Sequence, residues 1–175
     1  MFAPQTIRVY HSGDGPSTCQ APSTVRSRPL DRGLLPSLMG YALRRTQSAV
    51  FADFAATFAK AGEALTPGEF GLLVLVDRNE GLSQMALARA LGIDRSTLVP
   101  ILDRLQARDL LVRRPSPTDG RTHALALTAS GEKALVRFGR LVRAHEKRIA
   151  SGLSASETRT LIELLEKVRA SARSL

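Results

Sequence analysis

The sequence predicts a mainly α-helical fold carrying one small β-hairpin. Three observations predict it. Apolar residues recur at three- and four-residue steps through most of residues 34–175, the spacing that lines one face of a helix. Two short runs of strand character, Leu111–Arg114 and Thr122–Leu127, flank a turn signal at Asp119-Gly120. Capping residues stand just ahead of several periodic stretches. At 175 residues and 43% apolar composition, the chain is long enough to bury a core without disulfides or metal.

Residues 1–30 are rich in Pro, Ser, Thr and Gly and lack sustained periodicity, so a mobile tail is expected ahead of one domain over 31–175. Cys19, the chain's one cysteine, falls in that tail and excludes an internal disulfide or a Cys-rich metal site. It is either an incidental residue or an accessible, redox-sensing thiol. From Leu34 the pattern turns helical through Leu38, Ala42, Val50, Phe54 and Phe58, and it ends near Ala61-Gly62. Thr66-Pro67-Gly68-Glu69 is a capping box with proline at the first helical position, opening a second helix to about Arg78. Asn79-Glu80-Gly81 breaks it.

The stretch Ser83–Leu110 is the most informative. Ser83 is placed to cap a short helix, Gln84–Leu91, that stops at Gly92, a residue suited to a left-handed turn. Asp94 then starts a further helix from Arg95 to about Arg108. Leu87, Leu91, Ile93, Leu98, Ile101, Leu102 and Leu105 share one side, and Ala88 is small enough for the helices to cross closely. This is the pattern of a helix-turn-helix. The hairpin that follows reads as a wing, with Arg113 and Arg114 at its base and Arg121 near its tip as candidate DNA-binding residues. An arginine on a narrow hairpin suits the negative potential of a DNA minor groove. A winged helix-turn-helix is therefore expected over 66–128.

After Thr128 a long helix runs to about Ala150 with Leu135, Phe138, Val142, His145 and Ile149 on one seam, where His145 reads as a packed histidine. Ser154-Ala155-Ser156-Glu157 is a second capping box, and the helix it opens is expected to turn Leu161, Ile162, Leu164, Leu165 and Val168 inward. The terminal helices, 34–62 and 129–175, carry more apolar face than a small winged domain covers, which points to dimerisation.

Charge is a weaker guide. The formal charge is +9, yet residues 94–128 carry only +2 and residues 129–175 carry +5. Lys133, Arg137, Arg140 and Lys147 share one helical face, which is either solvated or turned to phosphates. The longest apolar run, near Phe70–Val76, is far short of the roughly 20 residues of a membrane span, and the N-terminus lacks a secretory core, so a soluble cytoplasmic protein with no membrane contact is expected. His11, His123 and His145 are scattered, and no nucleophile–base pair, carboxylate dyad, phosphate loop or metal spacing appears. No catalytic site, metal or cofactor is expected, and the chain is not read as an enzyme.

Together these elements resemble the MarR family of bacterial transcriptional regulators. The resemblance rests on Leu91-Gly-Ile-Asp-Arg-Ser-Thr-Leu98, Leu102-Asp-Arg-Leu105, Asp119-Gly-Arg121 and Leu125-Ala-Leu-Thr128-Ala-Ser-Gly131, and it covers residues 34–175. It implies a homodimer on pseudo-palindromic double-stranded DNA, with recognition helices about one helical turn apart. By position, Arg95, Ser96 and Thr97 would contact bases or phosphates, and Asp119 would orient Arg121. It also implies a small effector bound between the dimer helices and the winged domain, which loosens DNA binding. Tyr41-Ala-Leu-Arg-Arg-Thr-Gln47 resembles members that control aromatic-acid catabolism. Tyr41, Arg44 and Arg45 would then stack on and clamp an aromatic carboxylate or aryl-CoA thioester, unless the arginines serve only surface or dimer ion pairs. A ligand-independent architectural DNA-binding protein is the other reading. Three positions depart from the pattern: Pro100 inside the recognition helix, Asp109 where a left-handed glycine is usual, and Gly120 in place of a second wing arginine.

Overall fold

The computed structural model describes residues 30–115 and 123–173. The segment before residue 30, with Cys19, lies outside the described residues, as does the wing tip with Asp119, Gly120 and Arg121. A one-turn 3-10 helix, Leu35–Ser37, leads into α1 (Met39–Lys60), α2 (Pro67–Arg78), α3 (Gln84–Leu91) and α4 (Arg95–Ala107). The antiparallel strands β1 (Leu111–Pro115) and β2 (His123–Leu127) follow, paired from Leu111 opposite Leu127 to Pro115 opposite His123. The long α5 (Ala129–Ile149) and α6 (Ala155–Arg173) complete the chain.

Local chemistry accounts for the boundaries. Both arms of the α2 capping box are present: Thr66 Oγ1 accepts from the Glu69 N–H at 3.2 Å, and Glu69 Oε2 accepts from the Thr66 N–H at 2.9 Å. Ser83 Oγ accepts from the Ala86 N–H, and Gly92 ends α3 in the left-handed region at φ +66°. Asp94 occupies the N-cap of α4 but makes no side-chain capping bond, a departure from its expected role. Pro100 is accommodated inside α4, which runs on unbroken; the missing N–H leaves the Ser96 carbonyl without its helical partner. Asp109 adopts φ +53°, the left-handed turn expected there.

That turn brings Leu110 against the start of α5. Gly131, on the first turn of α5, sits so close that a Cβ there would lie 1.9 Å from the Leu110 carbonyl oxygen. Thr128 secures the same junction, accepting from the Gly131 N–H at 2.9 Å and donating its hydroxyl to the Asp109 carbonyl.

The core gathers Phe54 and Phe58 from α1, Leu72, Leu73 and Val76 from α2, Leu87, then Leu98, Leu102 and Leu105 from α4, with Leu111, Leu125 and Phe138. Each buried Leu or Phe contributes about 1.5–3 kcal/mol of transfer free energy. The Phe54 and Phe58 rings stack at 4.5 Å between centroids, and Phe138 tilts against Phe58 at 5.6 Å. On the α5 seam Phe138 and His145 are buried, Leu135 and Val142 half-buried, and Ile149 exposed.

One expectation is corrected. Leu161, Ile162, Leu164 and Leu165 of α6 do not turn inward; all four are exposed, and α6 buries no residue among those described. Leu34, Leu35, Leu38 and Met39 before and at the start of α1 are exposed as well. Periodicity marks these stripes as apolar, but among the described residues nothing is packed over them.

Candidate nucleic-acid interface

The turn between α3 and α4 is a tight one. The Ile93 N–H reaches the Ala88 carbonyl at 3.1 Å and the Gly92 N–H reaches the Arg89 carbonyl at 3.2 Å. This geometry lets α4 leave at an angle with Leu98, Leu102 and Leu105 buried beneath it. Arg95, Ser96 and Thr97, on its first turn, are all exposed. An uncapped helix N-terminus with one arginine and two hydroxyls offers N–H groups, a positive dipole end and hydrogen-bond donors to a phosphate or base edge. Beside it, Leu125 N–H bonds to the Leu82 carbonyl at 2.9 Å and Ser83 bridges to Ala124, so the hairpin is anchored to the start of α3.

The two arginines at the wing base part company. Arg114 is exposed. Arg113 is not free: its Nη2 donates to Asp103 Oδ1 at 2.6 Å and its Nη1 to Gln106 Oε1 at 2.8 Å, and its side chain is 24% exposed. Its Nε is buried with no hydrogen-bond partner among the described residues. Arg113 thus braces β1 against α4. Asp119 and Arg121 lie outside the described residues.

At the start of α1, the Arg45 guanidinium lies 5.8 Å from the centroid of the Tyr41 ring, within range of a cation–π contact, and Arg44 is exposed. A separate cavity of about 690 Å³ opens between the last turns of α1 and α4, lined by Phe58, Leu65, Glu69, Arg104 and Arg108 among others. Tyr41, Arg44 and Arg45 do not line it. No helix among the described residues is long and apolar enough to cross a membrane, and none of their His, Cys, Asp and Glu side chains gather in threes to hold a metal ion.

Two polar groupings were not anticipated from sequence. His145 Nδ1 lies 2.6 Å from Asp53 Oδ2, and Arg148 donates to both oxygens of the same carboxylate. Hydrogen bonds first from Arg148 and then from His145 hold the Asp53 carboxyl at about 2, below the ordinary 3.8. The second grouping joins Glu63 and Glu69 to Arg104, Arg108 and Arg137. Glu69 was legible only as a capping residue; the arginine it also holds lies 35 positions away.

The MarR family model matches residues 65–122, from the end of the α1–α2 connection to just short of β2. A candidate transcriptional regulatory protein for the hcr operon of Thauera aromatica is 40% identical over 139 residues, 79% of this chain and 83% of the relative. The chain belongs to the MarR family. Among solved structures, the transcriptional repressor CouR bound to a 23-mer DNA duplex is 40% identical, with a TM-score of 0.76 over 81% of this chain and 99% of that one. CouR bound to p-coumaroyl-CoA is 39% identical, with a TM-score of 0.73 over 81% and 98%. This MarR-type chain is a transcriptional regulator, built as a helical fold with a small two-stranded wing.

Proposed function

We propose that this MarR-family protein is a repressor that binds a pseudo-palindromic operator as a homodimer and is released by an aromatic carboxylate or aryl-CoA thioester. The observation that carries the DNA half is the exposed first turn of α4. Arg95, Ser96 and Thr97 project beside an anchored hairpin while Leu98 holds the helix to the core. In this reading those three residues, with the wing arginine Arg121 oriented by Asp119, contact the duplex, and Arg114 adds a phosphate contact. The apolar stripes of α6 and of the segment leading into α1, uncovered by the other described residues, support the homodimer, because a second chain would cover them.

Tyr41, Arg44 and Arg45 carry the effector half. The ring offers a stacking face and the two guanidinium groups an anion clamp. CouR structures carrying a DNA duplex and p-coumaroyl-CoA support the same pairing of partners.

Fluorescence anisotropy on the intergenic DNA beside the gene tests the first half. Affinity should fall steeply with salt, since phosphate contacts release counterions. Absent or salt-independent binding would sink it. Thermal shift with p-coumarate and p-coumaroyl-CoA tests the second: stabilisation of the wild type should be lost in the Arg44→Gln/Arg45→Gln double variant.

A further inference from the structure

The end of the recognition helix is tied by charge to the segment that joins α1 to α2 and opens α2. Leu98, Leu102 and Leu105 seat the helix on the core, and past Leu105 its end borders an open groove of about 690 Å³ between it and α1. What spans it is charge. Glu69, only 6% exposed, gives one carboxylate oxygen to the Thr66 N–H of the α2 cap. The other accepts from Arg104 Nη2 at 3.2 Å and Nε at 3.4 Å. Six residues earlier, Glu63 binds Arg137 of α5 at 2.8 Å and reaches Arg108, just past α4, at 3.7 Å. Arg108 also donates to the Ala64 carbonyl.

The connection between α1 and α2 is therefore a clasp. Two carboxylates fasten three arginines, two from the end of the recognition helix and one from α5. Several of these contacts are longer than the 2.7–2.9 Å of a strong charge-assisted bond. They tie the end of the helix across the groove, beside the buried Leu105 and the Arg113 brace from β1.

We propose that Glu69, acting through Arg104, with Glu63 acting through Arg108, is a specificity-determining positioning residue: the clasp sets the angle of the recognition helix and so the half-site spacing that the protein accepts. The inference rests on the DNA-binding reading above and goes beyond it. In a dimer on DNA, each recognition helix must enter its groove in register with the other, and a helix free to pivot tolerates a wrong spacing. A firmly clasped one does not.

Glu69→Gln is the informative variant. Glutamine at this position still serves the capping box, so only the charge facing Arg104 is lost. Footprinting on the intergenic DNA beside the gene first locates the palindrome, and anisotropy is then measured on it and on duplexes with one base pair added or removed between half-sites. Wild type is expected to prefer the native spacing by about tenfold or more, comparable to the cost of one mismatched base pair. E69Q should lose most of that preference while melting close to wild type. R104Q should match it, and the double variant should show no further loss, as for one shared interaction.

Undiminished spacing preference in E69Q overturns the proposal. So does tighter binding of the native palindrome by E69Q, which would mean that Glu69 merely restrains a phosphate-binding Arg104. Failure of the wild type to bind any such duplex overturns the DNA-binding reading instead. Amide exchange then still decides the clasp: E69Q should speed exchange of the Leu105–Arg108 N–H groups and leave the α2 cap protected, and unchanged exchange overturns it.

Discussion

His145 Nδ1 lies 2.6 Å from Asp53 Oδ2, joining the middle of α1 to the end of α5 through a buried imidazole. The ring is 1% exposed and sits edge-on to Phe54, 5.4 Å between centroids. Arg148 closes the arrangement from outside, donating to the carboxylate and to the Thr57 hydroxyl, whose own proton goes to the Asp53 carbonyl at 2.7 Å. Because Asp53 is ionised and only accepts, Nδ1 of His145 carries the shared proton.

This arrangement predicts an acid dependence with a definite sign. The Asp53 carboxyl sits at about 2 in the fold against an ordinary 3.8, so the folded state binds that proton less readily than the unfolded one. Its stabilising contribution is complete above about pH 4 and is lost as pH falls toward 2. Asp53→Asn should unfold at lower urea than wild type at pH 6–7, and the gap should close below pH 4. A gap that stays constant to pH 2 would show that the charge plays no part.

Gly131→Ala is expected to be severe. The new Cβ would lie 1.9 Å from a backbone oxygen, and neither the helix start nor the Leu110 turn has a flexible side chain to yield. A loss of at least about 3 kcal/mol, or failure to fold, should appear in chemical denaturation. A neutral result would mean that the junction of α5 and the turn is looser than described.

Asp109→Gly should act in the opposite direction. Asp109 is a non-glycine residue at φ +53°, and its hydrogen bond from Thr128 uses the backbone carbonyl, which glycine retains. Relief of the left-handed strain should outweigh the added freedom of the unfolded chain and raise stability by up to about 1 kcal/mol. Thermal melts of the two proteins give the answer.

The wing-base arginines should separate cleanly. Arg113→Ala removes two hydrogen bonds to α4 and is expected to cost about 1–2 kcal/mol of stability. Arg114→Ala should leave the melting temperature unchanged, weaken operator binding, and lower the salt slope by about one. Equal effects of both on stability would contradict the bracing role of Arg113.

The helices and the hairpin were legible because their determinants are local. Thr66 with Glu69, Ser83 with Ala86 and Gly92 after Leu91 act within a few residues, and the backbone geometry they favour is the one observed. Even the left-handed turn at Asp109 was foreseeable, since it lies where a family glycine is usual. Arg95, Ser96 and Thr97, singled out by the family resemblance, lie on an exposed first turn of α4 while Leu98 faces inward.

Partnerships were not legible in this way. Arg113 read as a wing-base arginine, and its carboxylate partner Asp103 stands 10 residues upstream on another element. Asp53 and His145 are 92 residues apart, and Glu69 and Arg104 are 35 apart. On its own, then, the sequence determined the order of elements, their caps and turns, and which faces are apolar. Only the tertiary structure decided which charges meet, and that the apolar stripe of α6 is left uncovered by the other described residues. The reason is physical: helix and turn propensities act over three to five residues, whereas an ion pair or a packed face depends on distances through space that only the assembled core creates.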